Sequence, residues 1–187
     1  ARNGARVIMA CRKLEKGQQA RQMIMETGAE AEPELWHLDL ASLDSVNSFS
    51  LKYEKSGYPL DLLINNAGLM AIPLNRTEEG FEMQFGVNHL GHFALTARLW
   101  PRLAESGPSR LVQVGSLAHR MGHIRFEDIH WELRYRKWGA YGMSKLANLL
   151  FIHELARRLN AGGSSVLAVA AHPGYADTEL QAKGSRM

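Results

Sequence analysis

Tyr141 and Lys145 stand one helical turn apart, so in a helix their side chains share a face. A free tyrosine titrates near pH ~10, too high to exchange protons readily at neutral pH. An ammonium held beside the phenol favours the phenolate and turns the tyrosine into a usable general acid and base. Taken alone, the pair would suit any ordinary helix face. Its meaning depends on what the rest of the chain brings to it.

Short apolar runs alternate with longer amphipathic ones. Strands are predicted at 5–11, 34–38, 61–65, 110–114 and 165–171, with helices at 14–27, 42–56, 77–104 and 140–159. Ser42 is placed to cap the second helix, whose apolar face carries Val46, Phe49 and Tyr53. Near-continuous apolar strands alternating with helices imply an α/β fold: a Rossmann-type, doubly wound parallel sheet in three layers. Such sheets bind ligands beyond the carboxyl ends of their strands. Polar and glycine-bearing residues collect there: Cys11-Arg12, Asp39, Asn65-Asn66-Ala67-Gly68, Gly115-Ser116 and His172-Pro173-Gly174. Five such strand ends describe a nucleotide site without yet naming its chemistry.

Composition narrows the classes. The chain has 187 residues, enough for one domain with a sizeable core, and 45% hydrophobic with 22% charged residues fits a globular protein. Net charge is +3 with basic residues scattered, so the pI near 9.1 does not argue for nucleic acid, and no nucleic-acid partner is expected. A lone cysteine, Cys11, excludes an internal disulfide and fits a reducing compartment. No apolar run approaches the ~18 residues of a membrane span. A cytoplasmic location is expected, with membrane association through a preceding N-terminal segment left open.

Several of these pieces occur together in one known family. Asn65-Asn66-Ala67-Gly68, Val87-Asn88, Gly115-Ser116, Tyr141-x-x-x-Lys145 and Pro173-Gly174 before Thr178 resemble, in order and spacing, the short-chain dehydrogenase/reductases. The likeness runs over nearly the whole chain. Ala10-Cys11-Arg12, Val87 to Phe93 and Ser144 to Asn148 are most similar to the retinol-dehydrogenase-like group. The resemblance implies hydride transfer between a nicotinamide cofactor and a carbonyl/alcohol pair on a small apolar molecule. Ser116 would hold the substrate oxygen, and Tyr141 would give or take its proton. Lys145 would tune the tyrosine and bind the nicotinamide ribose, while Asn88 would position a water linking Lys145 to solvent. Without the resemblance, Ser116 could merely end a strand and Asn88 satisfy a buried backbone group. A catalytically silent dinucleotide sensor or scaffold is the alternative, though a sensor needs no proton-transfer set. Epimerisation or dehydration of a nucleotide sugar is a third chemistry the frame allows.

Cofactor preference follows from the first strand end. An NAD enzyme of this fold usually places an acid there for the ribose 2′-OH. Here stands Cys11-Arg12-Lys13, and a guanidinium suits the 2′-phosphate of NADP(H), with NAD(H) the less favoured cofactor. Asp39 and Leu40 would then lie at the adenine, and Asn66, Ala67 and Gly68 along the adenosine. By resemblance, Tyr141, Lys145, Pro173, Gly174 and Thr178 hold the nicotinamide end. The family opens with a strand and a Gly-rich turn that holds the pyrophosphate. This chain begins at Ala1-Arg2-Asn3-Gly4 and ends shortly after Thr178. It is therefore expected to lack that first strand and the C-terminal end, and to leave sheet edges and apolar faces uncovered. Residues 1–187 are read as one such truncated domain.

His89/His92 and His119/His123 have helical spacing for a metal, but no Cys, Asp or Glu set joins them, and no metal is expected. Trp131, Tyr135 and Trp138 are read either as a wall of the substrate pocket or as a surface loop packed on the core. In related proteins the third and fourth helices also build a homodimer interface, which the resemblance allows here.

Overall fold

The computed structural model describes residue 1 and residues 3–174. Five strands, β1 (Ile8–Cys11), β2 (Glu34–His37), β3 (Leu62–Asn65), β4 (Arg110–Val114) and β5 (Leu167–Ala171), alternate with helices. These are α1 (Leu14–Glu26), α2 (Leu43–Ser56), α4 (Gly91–Glu105) and α5 (Lys137–Ala161), with a single turn α3 (Met83–Phe85) before α4. The pairings among these five strands are parallel, in keeping with their apolar runs. The strands form two sheets, β1–β2 and β3–β4–β5. Ser42 caps α2, its side chain accepting from the Ser45 amide at 3.3 Å.

Strand alternation sends neighbouring side chains to opposite layers. On β2, Leu35 meets Gly17 of α1, while Trp36 turns to Phe49 and Tyr53 of α2. On β3 and β4, Asn65, Leu111 and Gln113 face the side of α4 and α5 and are buried. There Leu99 and Leu103 of α4, Val46 of α2 and Ile152 of α5 close one core with Leu111 and Ala168. The opposite face of this sheet is open among the described residues: Leu62, Ile64 and Leu167 are 50%, 53% and 49% exposed.

The predicted helix 77–104 is not continuous. Residues 77–81 form a tight turn, with the Thr77 amide donating to Phe81 O and Gly80 at φ +84°. Helix begins only after Glu82, whose carboxylate accepts from the Gln84 and Phe85 amides. A π-turn, Gly86–Leu90, then interrupts the α-helical repeat around Asn88. The last helix starts earlier than predicted, at Lys137, because tertiary packing rather than propensity sets its first turn.

Candidate active site

Residues Ala140 to Lys145 of α5 are all buried, and Tyr141 and Lys145 share its inner face. The Lys145 ammonium donates to Val114 O at the end of β4 (3.2 Å) and lies 5.9 Å from the Tyr141 ring centroid. Burial lowers the lysine from 10.5 to about 8, so at neutral pH it keeps most of its charge. Trp138 meets the Tyr141 ring edge-on at 6.1 Å. No described residue hydrogen-bonds the Tyr141 hydroxyl.

Ser116 follows β4 in extended conformation and caps the 3₁₀ turn Leu117–Met121, its Oγ accepting from the Ala118 amide at 3.2 Å. That bond uses the oxygen and leaves the hydroxyl proton free to donate. The turn reaches α5 by backbone contact: a Cβ on Gly122 would stand 2.4 Å from Gly142 O, and one on Gly142 3.0 Å from Ala118 O. Two glycines thus bring the serine turn against the tyrosine helix. Gly122→Ala is expected to cost about 1–3 kcal/mol of stability through overpacking. It should also separate Ser116 from Tyr141, and thermal melting together with turnover would check both effects.

Asn88 is fully buried. Its Nδ2 donates to Leu69 O (2.9 Å) and Ser144 Oγ (2.9 Å), and its Oδ1 accepts from the Leu69 amide (2.7 Å). The side chain therefore staples the loop after β3 to the tyrosine helix. Its main-chain oxygen takes Asn148 Nδ2 (2.8 Å) and His92 Nδ1 (3.0 Å). A carbonyl only accepts, so His92 carries its proton on Nδ1; burial pushes this imidazole down to about 4 and keeps it neutral. His89 pairs with Asn148 Oδ1 at 3.1 Å. His119 Nδ1 sits 2.6 Å from Ser116 O. Among the described residues no three His, Cys, Asp or Glu side chains converge as metal ligands.

The expected cofactor residues fall in several environments. Arg12 is exposed at the end of β1 with no partner among the described residues. Asn66 and Ala67 are exposed, and a Cβ on Gly68 would stand 3.2 Å from Asn88 Oδ1 and 3.7 Å from Lys145 Nζ. Bare backbone therefore borders the lysine there. Asp39 is half-buried and accepts from the Ala41 amide at 2.9 Å, closing its own turn with one carboxylate oxygen. Leu40 is buried in the main core, with its backbone against Gly91 of α4. Pro173 and Gly174 are exposed beyond β5, and Thr178 lies outside the described residues.

Among the described residues, one cavity opens at Ser116 and Lys145 and another at the start of α5. One of about 110 Å³ is lined by Gly115, Ser116, Lys145, Asn148 and His172. A larger one of about 420 Å³ is lined by His123, Arg125, Trp131, Arg134, Arg136 and Gly139. Trp131 is buried in a wall of the second, while Trp138 is half-exposed at Tyr141.

Residues 1–187 match, along their full length, the family described as short chain dehydrogenase. The chain belongs to that family. Human retinol dehydrogenase 13 is 50% identical over 181 residues, covering 96% of this chain and 54% of its own. Human retinol dehydrogenase 11 is 46% identical over 187 residues, covering 100% of this chain and 58% of its own. The chain spans about half the length of these curated relatives. A crystal structure of an uncharacterised Mycobacterium paratuberculosis protein superposes with a TM-score of 0.82 at 49% identity, covering 98% of this chain and 64% of that one. This short-chain dehydrogenase is thus of the retinol-dehydrogenase-like group.

The structure adds residues to which the sequence assigned no role. Asn148 follows Lys145 by three positions on α5 and links Asn88, His89 and the smaller cavity. Its helical spacing from Tyr141 and Lys145 was the available signal. Below the strand ends, Asn65 Nδ2 donates to Thr96 Oγ1 (2.9 Å) and Gln113 Oε1 (3.1 Å), all three residues buried. Inward placement on their strands marks Asn65 and Gln113, but their pairing depends on sheet register.

Proposed function

We propose that the protein is an NADP(H)-dependent oxidoreductase that interconverts a carbonyl and an alcohol on an apolar small molecule. The observation that carries this reading is the joint burial of Tyr141 and Lys145 on α5, with the ammonium tied to the end of β4 next to Ser116. In the reducing direction Ser116 donates its free proton to the substrate oxygen. As the carbonyl carbon is reduced, its oxygen takes the Tyr141 proton. The phenolate left behind is stabilised by the Lys145 cation, and oxidation reverses the transfer. Asn88 holds the loop after β3 to the tyrosine helix, and a water relay from Lys145 to solvent would start from the ammonium's remaining protons.

The residues present fit a nicotinamide dinucleotide. Lys145 has three N–H donors and gives one to Val114 O, so others are free for the ribose. Bare backbone at Gly68 and Gly115 borders the lysine and the serine turn, and Asn66 and Ala67 continue that open edge. Pro173, Gly174 and Thr178 are assigned to the nicotinamide end, Asp39 and the Leu40 backbone to the adenine. When bound, the nicotinamide supplies or accepts the hydride. The guanidinium of Arg12, without a partner among the described residues, supports NADP(H) over NAD(H). Arg12→Ala is expected to weaken NADPH binding about 10–100-fold, the worth of charge-assisted hydrogen bonds to a phosphate, with little effect on NADH. Titrating both cofactors checks this; equal losses for the two would remove the argument.

Retinoid-like alcohols and aldehydes are the first substrates to try, since the relatives are named retinol dehydrogenases. The cavity at the start of α5 offers Met121 and Trp131 as apolar surface beside Arg125, Arg134 and Arg136, so an apolar substrate with a polar end is the form it would accept. Turnover of a panel of apolar aldehydes and ketones, wild type beside Tyr141→Phe, tests the reading.

A further inference from the structure

Outside the catalytic set, one buried polar cluster links the segments that carry it. Glu82 is fully buried at the start of α3, where it accepts from the Gln84 amide (3.0 Å) and the Phe85 amide (2.7 Å). The Tyr135 hydroxyl lies 3.2 Å from Glu82 Oε1 and 2.9 Å from Ile72 O. Gln84, also fully buried, donates from Nε2 to Tyr135 Oη (2.8 Å) and Lys137 O (2.9 Å). Its Oε1 accepts from the Ala71 amide at 2.7 Å, holding Ala71 at a φ of +50°. Both amide protons and the carbonyl of Gln84 are thus committed.

These three side chains join three pieces of backbone. Ala71 and Ile72 follow the Asn65–Gly68 loop. Glu82 and Gln84 lead into the π-turn that presents Asn88. Tyr135 and Lys137 enter α5, and Tyr141 lies one turn beyond Lys137. The start of α5 needs such a tie, because Arg136 at its N-cap makes no side-chain cap bond. Glu82 has no ion-pair partner among the described residues; the nearby Arg76 guanidinium donates instead to Gly80 O and His130 O. Burying a carboxylate without a cation is costly and is tolerated only when its lone pairs are met. Accordingly burial raises both Glu82 and Tyr135 above their ordinary ranges. Simple core filling would be served as well by apolar side chains.

We propose that Glu82, Gln84 and Tyr135 form a positioning brace that sets the first turn of α5, and with it Tyr141, against the Asn88 loop. The brace rests on the oxidoreductase reading of Tyr141. A displacement of about 1 Å at a reacting group can cost around 100-fold in rate, so the brace acts on proton transfer without touching substrate.

Tyr135→Phe removes one hydroxyl and keeps the ring; Glu82→Gln keeps shape and removes the charge. In the full-length enzyme each is expected to lower kcat about 10-fold. KM for NADPH should stay within about 2-fold, because the tie precedes the proton-transfer pair and not the Arg12 end. The double variant should lose no more than the worse single one, since both act on one network. The solvent deuterium isotope effect on kcat should rise as proton transfer becomes limiting. Unchanged kcat in both variants, or losses that follow the fraction unfolded, would overturn the brace. Hydrogen exchange at the Ala140–Ser144 amides separates its failure from failure of the enzymatic reading. Faster exchange in Tyr135→Phe supports the brace even in a protein without turnover, and unchanged exchange overturns it.

Discussion

Tyr141→Phe is expected to lower turnover by about 10²–10⁴-fold, the usual contribution of a positioned general acid. Cofactor affinity should change by less than about 3-fold, because the phenol is one of many groups at the nicotinamide end. The fold should barely notice. The ring would keep its edge-on packing against Trp138, and the hydroxyl has no hydrogen-bond partner among the described residues. A melting temperature within a few degrees of wild type is expected. Steady-state kinetics with NADPH, paired with a binding titration and a melt, measure all three. Binding without turnover in wild type, and no effect of the variant, would favour a dinucleotide sensor.

Lys145→Met should remove activity and raise stability together. Wild-type Lys145 sits at about 8, against 10.5 for an exposed lysine, because burial disfavours its ammonium. That difference corresponds to about 3 kcal/mol of destabilisation wherever both folded and unfolded chains hold the proton, below about pH 8. Between about 8 and 10.5 the folded lysine has lost its proton while the unfolded one keeps it. The unfolded chain then binds more protons, so wild-type stability from this group rises with pH through that window. Methionine fills a similar volume without a charge. The loss of the bond to Val114 O offsets about 1 kcal/mol of the gain. A net gain of about 1–3 kcal/mol at pH 7, vanishing by about pH 10.5, is expected for the cofactor-free protein. Denaturant melts at a series of pH values would show it. A variant less stable than wild type at pH 7 would mean that the ammonium is held more favourably than its burial implies.

The candidate proton-transfer pair was legible because its geometry is local. A Tyr and a Lys four positions apart share a face in any α-helix, and α5 places both inward. Parallel pairing was legible for a similar reason, since apolar strands separated by helices cannot pair as hairpins. Ser42 showed its cap in residue type alone. Helical periodicity failed over 77–90, where a turn and a π-turn interrupt a pattern that apolar spacing makes look continuous.

The partners of Asn88 were beyond reach of the sequence. It bonds Leu69 and Ser144, 19 and 56 positions away, and such pairs exist only once separate elements have packed. The meeting of Ser116 with α5 depends on how closely Gly122 approaches Gly142, a distance no composition records. The same holds for Glu82, whose neighbours read as an ordinary helix start until Tyr135 arrives from 53 positions on. Residue type and short-range spacing thus pointed to Tyr141 and Lys145 as the candidate pair and to the helix face that bears them. Chain-distant contacts settled how those groups are held, because a side chain's hydrogen-bond partners are chosen by the backbone that packing brings within about 3 Å of it.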